Sequence, residues 1–114
     1  MVVAATLIPA SASADDATFV DGNKLYDQCT GTAPGSSSYY SGYGLCAAYI
    51  NGIADALGSG SSIRGWSTCF PERVTIAQMV DVVKQSLAAH PETRHLPAAR
   101  LVVEALARTF PCKQ

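Results

Sequence analysis

Four cysteines divide this chain into segments of unlike character, and their placement limits what it can fold into more than any other feature. Cys29 and Cys46 flank a stretch rich in Gly, Ser and Tyr, while Cys69 and Cys112 flank everything that follows. Four cysteines allow three pairings, and helix geometry selects among them. The first helix reads as Phe19 to about Cys29, with Thr18 or Asp16 as its cap and Leu25 and Cys29 on one face. Gly22 interrupts that pattern at a cost of about 1 kcal/mol against alanine. The second helix reads from about Gly44 to Leu57, since Cys46, Tyr49, Ile50, Ile53 and Leu57 recur at three- and four-residue spacing. A helix this poor in charge is expected to be buried on most sides, with Asn51 and Asp55 as its polar exceptions, and Gly58 ends it.

The third helix starts at Thr75, whose pairing with Gln78 is a capping box, and its stripe is Ile76, Met79, Val80, Val83 and Leu87. Pro91 stops it. The fourth begins near Pro97, where a missing N–H does no harm. Leu96, Ala99, Val102, Val103, Leu106 and Phe110 form its apolar side, with Arg100 and Glu104 facing solvent. No run alternates long enough to make a strand. Cys29 then ends one helix where Cys46 begins the next, and Cys69 precedes the third helix where Cys112 follows the fourth. Antiparallel hairpins bring each pair together, so Cys29–Cys46 and Cys69–Cys112 are the expected disulfides. The fold class is all-α: a bundle of about four helices arranged as two hairpins, each closed by a bridge.

Paired cysteines imply an oxidising compartment, and the N-terminus agrees. Val2 to Ile8 is apolar, Pro9 breaks the run, and Ala12-Ser13-Ala14 before Asp15-Asp16 fits a signal cleavage site, as does Ala10-Ser11-Ala12. No Lys or Arg precedes the run, so the expected start of the full signal lies upstream. Residues 1–14 then read as a signal-peptide remnant, and 15–114 as a single domain of exported, periplasmic type. The apolar run is far short of the roughly 20 residues that span a bilayer.

The chemistry is that of a binding protein. Net charge is −1, with eight scattered Lys and Arg, which argues against nucleic acid or an anionic membrane as partner. No catalytic set, P-loop or zinc motif is present; no cofactor or metal is expected. His90 sits in the last turn of the third helix and His95 in the turn before the fourth, both with structural explanations. The run from Ser36 to Tyr43 has the composition of a binding loop, since tyrosine offers large contact area at low entropy cost. Tyr39, Tyr40 and Tyr43 are candidate partner contacts there. Arg64 and Trp66 are candidates in the loop from Ser59 to Pro71. Tyr43 and Trp66 each have an alternative role packing on the core. Helix faces this apolar are also compatible with a homodimer.

The ordered set of residues resembles one family. Gly22-Asn23-x-Leu25-x-x-x-Cys29, Cys46-x-x-Tyr49-Ile50-x-Gly52-Ile53-x-Asp55-Ala56, Cys69-Phe70-Pro71, Val74-Thr75-x-x-Gln78, His90-Pro91-Glu92, Pro97-Ala98 and Phe110-Pro111-Cys112 are similar in order and spacing to the Tai-type (Rap/Tai) immunity proteins of type VI secretion. The resemblance covers roughly residues 19 to 112. It implies a small helical periplasmic protein that binds a peptidoglycan amidase effector, occludes its active site, and is not itself an enzyme. Two other classes fit the size and export: a periplasmic acid-stress chaperone, whose switch would have to come from carboxylate protonation, and a cell-wall enzyme, for which no polarised catalytic pair is present.

Overall fold

The structure is a computed structural model and describes residues 18–31 and 39–113. Four α-helices carry the described residues: α1 (Gly22–Thr30), α2 (Tyr39–Gly58), α3 (Ile76–Ala89) and α4 (Ala98–Thr109), with a 3₁₀ turn at Pro91–Thr93. No β-strand occurs among the described residues; only two isolated bridges do. The all-α class and the two-hairpin arrangement are as the periodicity predicts. α1 packs chiefly on α2, α3 on α4, and each hairpin also touches the other. Leu25, Ile50, Leu57, Val80, Val83, Val102, Val103 and Leu106 lie at the centre, drawn from all four helices and shut off from solvent. Burying each such side chain contributes about 1.5–3 kcal/mol.

Both disulfides join the expected partners: Cys29 to Cys46 with Cα atoms 5.0 Å apart, and Cys69 to Cys112 at 4.8 Å. The second hairpin is closed by backbone as well, since the Cys69 N–H donates to the Phe110 carbonyl at 3.0 Å. The capping box of α3 is present: the Gln78 N–H donates to Thr75 Oγ1 at 3.1 Å and the Thr75 N–H to Gln78 Oε1 at 2.9 Å. Met79, Val80, Val83 and Leu87 are the buried face of that helix.

Four expectations are corrected. The first helix begins at Gly22, three residues later than Phe19, and its cap is Asp21, whose carboxylate accepts from the Lys24 N–H at 2.8 Å. The cause is tertiary: the Gly22 N–H donates to the Leu96 carbonyl, the Asn23 N–H to Arg94, and the Ala98 N–H to Val20. The backbone entering α1 is thus bonded to the α3–α4 connection and stays extended. Gly22 is required there, because a Cβ would fall 2.5 Å from Leu101 Cδ1 and 2.7 Å from the Arg94 carbonyl oxygen. α2 starts at Tyr39, five residues before Gly44, so helix replaces the C-terminal end of the expected loop. α2 is also less enclosed than its composition implies. Gly44, Leu45, Ala48, Asn51, Gly52, Asp55 and Ala56 make a continuous exposed side, and nothing lies within 4 Å of a Cβ built on Gly44 or Gly52. On α4, Ala98 is buried and Ala99 exposed, the reverse of the assigned stripe.

Candidate partner-binding surface

The connection between the hairpins, Ser59 to Val74, carries both non-glycine residues of positive φ found among the described residues. Ile63 and Trp66 exchange both backbone hydrogen bonds, at 3.0 and 2.9 Å, and enclose Arg64 and Gly65 in a two-residue turn. Both central residues have positive φ, 52° and 82°, as the type I′ hairpin turn requires. Asn or Gly is the usual occupant of the first position; an arginine there costs about 1 kcal/mol or more in steric strain. The turn therefore holds the exposed Arg64 at the tip of a small hairpin. Trp66, the residue that closes it, is half-buried, packs against the core and lies under the Arg108 guanidinium, 5.5 Å from its ring centroid. Further along, Phe70 meets Phe110 with ring centroids 5.5 Å apart, next to the Cys69–Cys112 bridge. The hairpin is thus tied to α4 by a cation–π contact, and the chain that follows it to the segment after α4 by an aromatic contact and a cystine.

Arg73 is the second non-glycine residue with positive φ, at 72°. It lines a surface groove of about 580 Å³ formed by the end of α2 (Ala54, Asp55, Gly58), Phe70, Val74 and Met79. Its lining mixes apolar side chains with Ser59, one acidic side chain and one basic one. Neither Phe70 nor Arg73 stood out as a contact residue in the sequence. An arginine gives no local signal for a left-handed backbone, and Phe70 reads equally well as core.

Of the five sequence-predicted contact residues, the structure brings Arg64 and Trp66 together on one hairpin. Tyr39, Tyr40 and Tyr43 fall in the first turns of α2, not in a loop. Tyr43 is half-buried and packs on the core; the side chains of Tyr39 and Tyr40, like the serines of residues 36–38, lie outside the described residues. His90 is the residue that caps the end of α3, with its Nδ1 2.9 Å from the Ser86 carbonyl oxygen. Asn51 and Asp55 are both exposed on α2. Tyr49 accepts a backbone hydrogen bond from Ala99; burial pushes its phenol above the ordinary range, an effect that this bond partly offsets. Among the described residues no group of three His, Cys, Asp or Glu could hold a metal ion, and no helix is long and apolar enough to cross a membrane.

The family model of the Rap1a immunity proteins matches residues 21–112, most of the chain. The chain belongs to the Rap1a immunity proteins. The matched stretch opens on the cap of α1 and ends on the last cysteine, so it takes in all four helices and both bridges. Rap1a immunity proteins are a binding and inhibitory family whose members are periplasmic. Among curated proteins, none matches this chain.

Proposed function

We propose that this protein is a periplasmic immunity protein of type VI secretion that binds a peptidoglycan amidase effector and silences it by occluding its active site. Membership of the Rap1a immunity proteins is the observation that carries this reading. The architecture supports it: a small core fastened by two cystines presents a surface whose shape is set before a partner arrives, which lowers the entropy cost of binding. Arg64 and Trp66 are the proposed anchors on the inter-hairpin connection, and Tyr39, Tyr40 and Tyr43 at the start of α2 the proposed second contact. The protein performs no catalysis in this reading and needs no cofactor. In this reading residues 1–14 belong to an export signal and residues 15–114 to the exported domain, which binds one effector per protomer, as a monomer or a homodimer.

The test is direct. Purified protein is mixed with amidases encoded beside its gene, and peptidoglycan digestion is followed. Stoichiometric inhibition of one of them is the expected result; undiminished digestion by every co-encoded hydrolase would overturn the proposal.

A further inference from the structure

The groove between the end of α2 and the turn before α3, about 580 Å³ in volume, takes one acidic and one basic side chain into its lining, Asp55 and Arg73. Local structure favours neither. Asp55 lies in the last turn of α2, which ends at Gly58, and a carboxylate there opposes the negative end of the helix dipole. Arg73 is the third residue of a turn closed by the Val74 N–H, which donates to the Pro71 carbonyl at 3.4 Å. Its φ is 72°, and a positive φ at that position ordinarily selects glycine or asparagine. Both side chains are exposed. Neither makes a hydrogen bond or ion pair among the described residues, with the other or with any neighbour. The groove around them is fixed. Phe70 lies against the end of α2, with its Cδ2 3.7 Å from a Cβ built on Gly58, and its ring also meets Phe110. Cys69 beside it is bonded to Cys112, and the capping box holds the start of α3.

We infer that this groove docks a segment of the protein partner in which an apolar side chain is flanked by a basic residue, set against Asp55, and an acidic residue, set against Arg73. The inference rests on the proposed function for the partner's identity, and it adds a contact separate from Arg64 and Trp66. Charge complementarity names the occupant. A carboxylate and a guanidinium without partners, each at a position the fold does not favour, are matched by opposite charges from outside. The guanidinium fits a carboxylate through two parallel N–H···O bonds. Phe70, Val74 and Met79 supply the apolar contact, and the flexible thioether of Met79 adapts to the side chain that enters. The volume lies within the range of about 300–1,000 Å³ typical of sites that enclose a compact ligand.

The test uses the full chain, ¹⁵N-labelled, titrated with a blocked Gly-Lys-Leu-Glu-Gly peptide and with its Gly-Gln-Leu-Gln-Gly counterpart. The charged peptide is expected to shift the amide signals of residues 54–59 and 70–75 in a saturable way, and to bind about fivefold more tightly than the uncharged one. Raising salt to about 300 mM should close most of that gap, because ions screen exposed charge pairs. Equal binding of the uncharged peptide, or the absence of a saturable shift, would overturn the inference. Movement of the same signals with protein concentration alone would also overturn it, by showing that a second copy of the chain fills the groove. Arg73→Gly separates recognition from a structural role. Glycine accepts the positive φ, so the melting temperature should rise by about 4 °C while the preference for the charged peptide falls. A melting temperature that does not rise would overturn the inference, because the arginine would then serve the fold. Asp55→Asn should lower the same preference with no loss of stability. Where an amidase is inhibited by the wild type, the Asp55→Lys, Arg73→Glu double variant should inhibit it about tenfold less well; unchanged inhibition would overturn the inference while leaving the proposed function standing. If no amidase is inhibited, the proposed function fails and the peptide titration still decides the chemistry of the groove.

Discussion

The two hairpins are built from the same parts, yet their cystines do different jobs. Cys29–Cys46 spans 17 residues and is buried with the core, Cys46 fully so. Cys69–Cys112 spans 43 residues and lies at the surface, with Cys69 exposed. The first replaces a packed apolar pair and is part of the interior. The second is a clasp across the base of a hairpin whose interior is already complete, and it holds the connection that displays Arg64 and Trp66. Chain-entropy arguments assign about 3 kcal/mol to the shorter loop and about 4 kcal/mol to the longer. Burial reverses that order once the side chain left behind is counted.

The largest effect follows from that reversal. Cys46→Ser loses the bridge and also leaves a hydroxyl in the core, an added cost of about 1–3 kcal/mol; Cys46→Ala avoids the second penalty. At Cys69 serine and alanine should be equivalent, each costing about 4 kcal/mol. Chemical denaturation of the four variants measures this, and a serine–alanine gap at Cys69 as large as at Cys46 would remove the distinction between interior and clasp. Under native conditions dithiothreitol should open Cys69–Cys112 first, because access limits thiol exchange; alkylation and peptide mapping would report the order.

Gly22→Ala addresses the seam that joins the two halves. The new methyl meets Leu101 and the Arg94 carbonyl, so a loss of about 1–3 kcal/mol is expected, with a broadened transition if the hairpins then melt separately. Thr75→Ala tests how far the second hairpin is specified by its own sequence. Loss of the capping box should cost about 1 kcal/mol, and Thr75→Ser should recover most of it. The smallest effect at neutral pH is that of Tyr49→Phe. The Tyr49 phenol is held above its ordinary value in the folded protein. Its contribution is therefore complete below the unfolded value, about 10, and is lost as pH rises through the folded one. A stability–pH profile of the variant should fall less steeply in that alkaline window, and an unchanged profile would refute the assignment.

What could be read from the sequence was what neighbours in the chain decide. Thr75 and Gln78 form their cap within one turn, Leu25 and Cys29 share a face by helical period, and cysteines at facing helix ends pair for the same reason. The start of α1 was not legible, because it is set by carbonyls of Arg94 and Leu96, some seventy residues away. The exposure of one side of α2 was hidden because Gly and Ala fit either environment. In the candidate site, Arg64 and Trp66 stood out by residue type, while their union on one hairpin and the turn that strains Arg64 depend on backbone pairing that no local pattern announces.

The seam also ties the start of the fold to its end. The Cys29–Cys46 ring joins residues 17 apart in the chain, whereas the extended entry to α1 has its hydrogen-bond partners at residues 94–98. The entry to α1 is therefore a long-range feature of the fold, complete only when the last helix and the turn before it are in place.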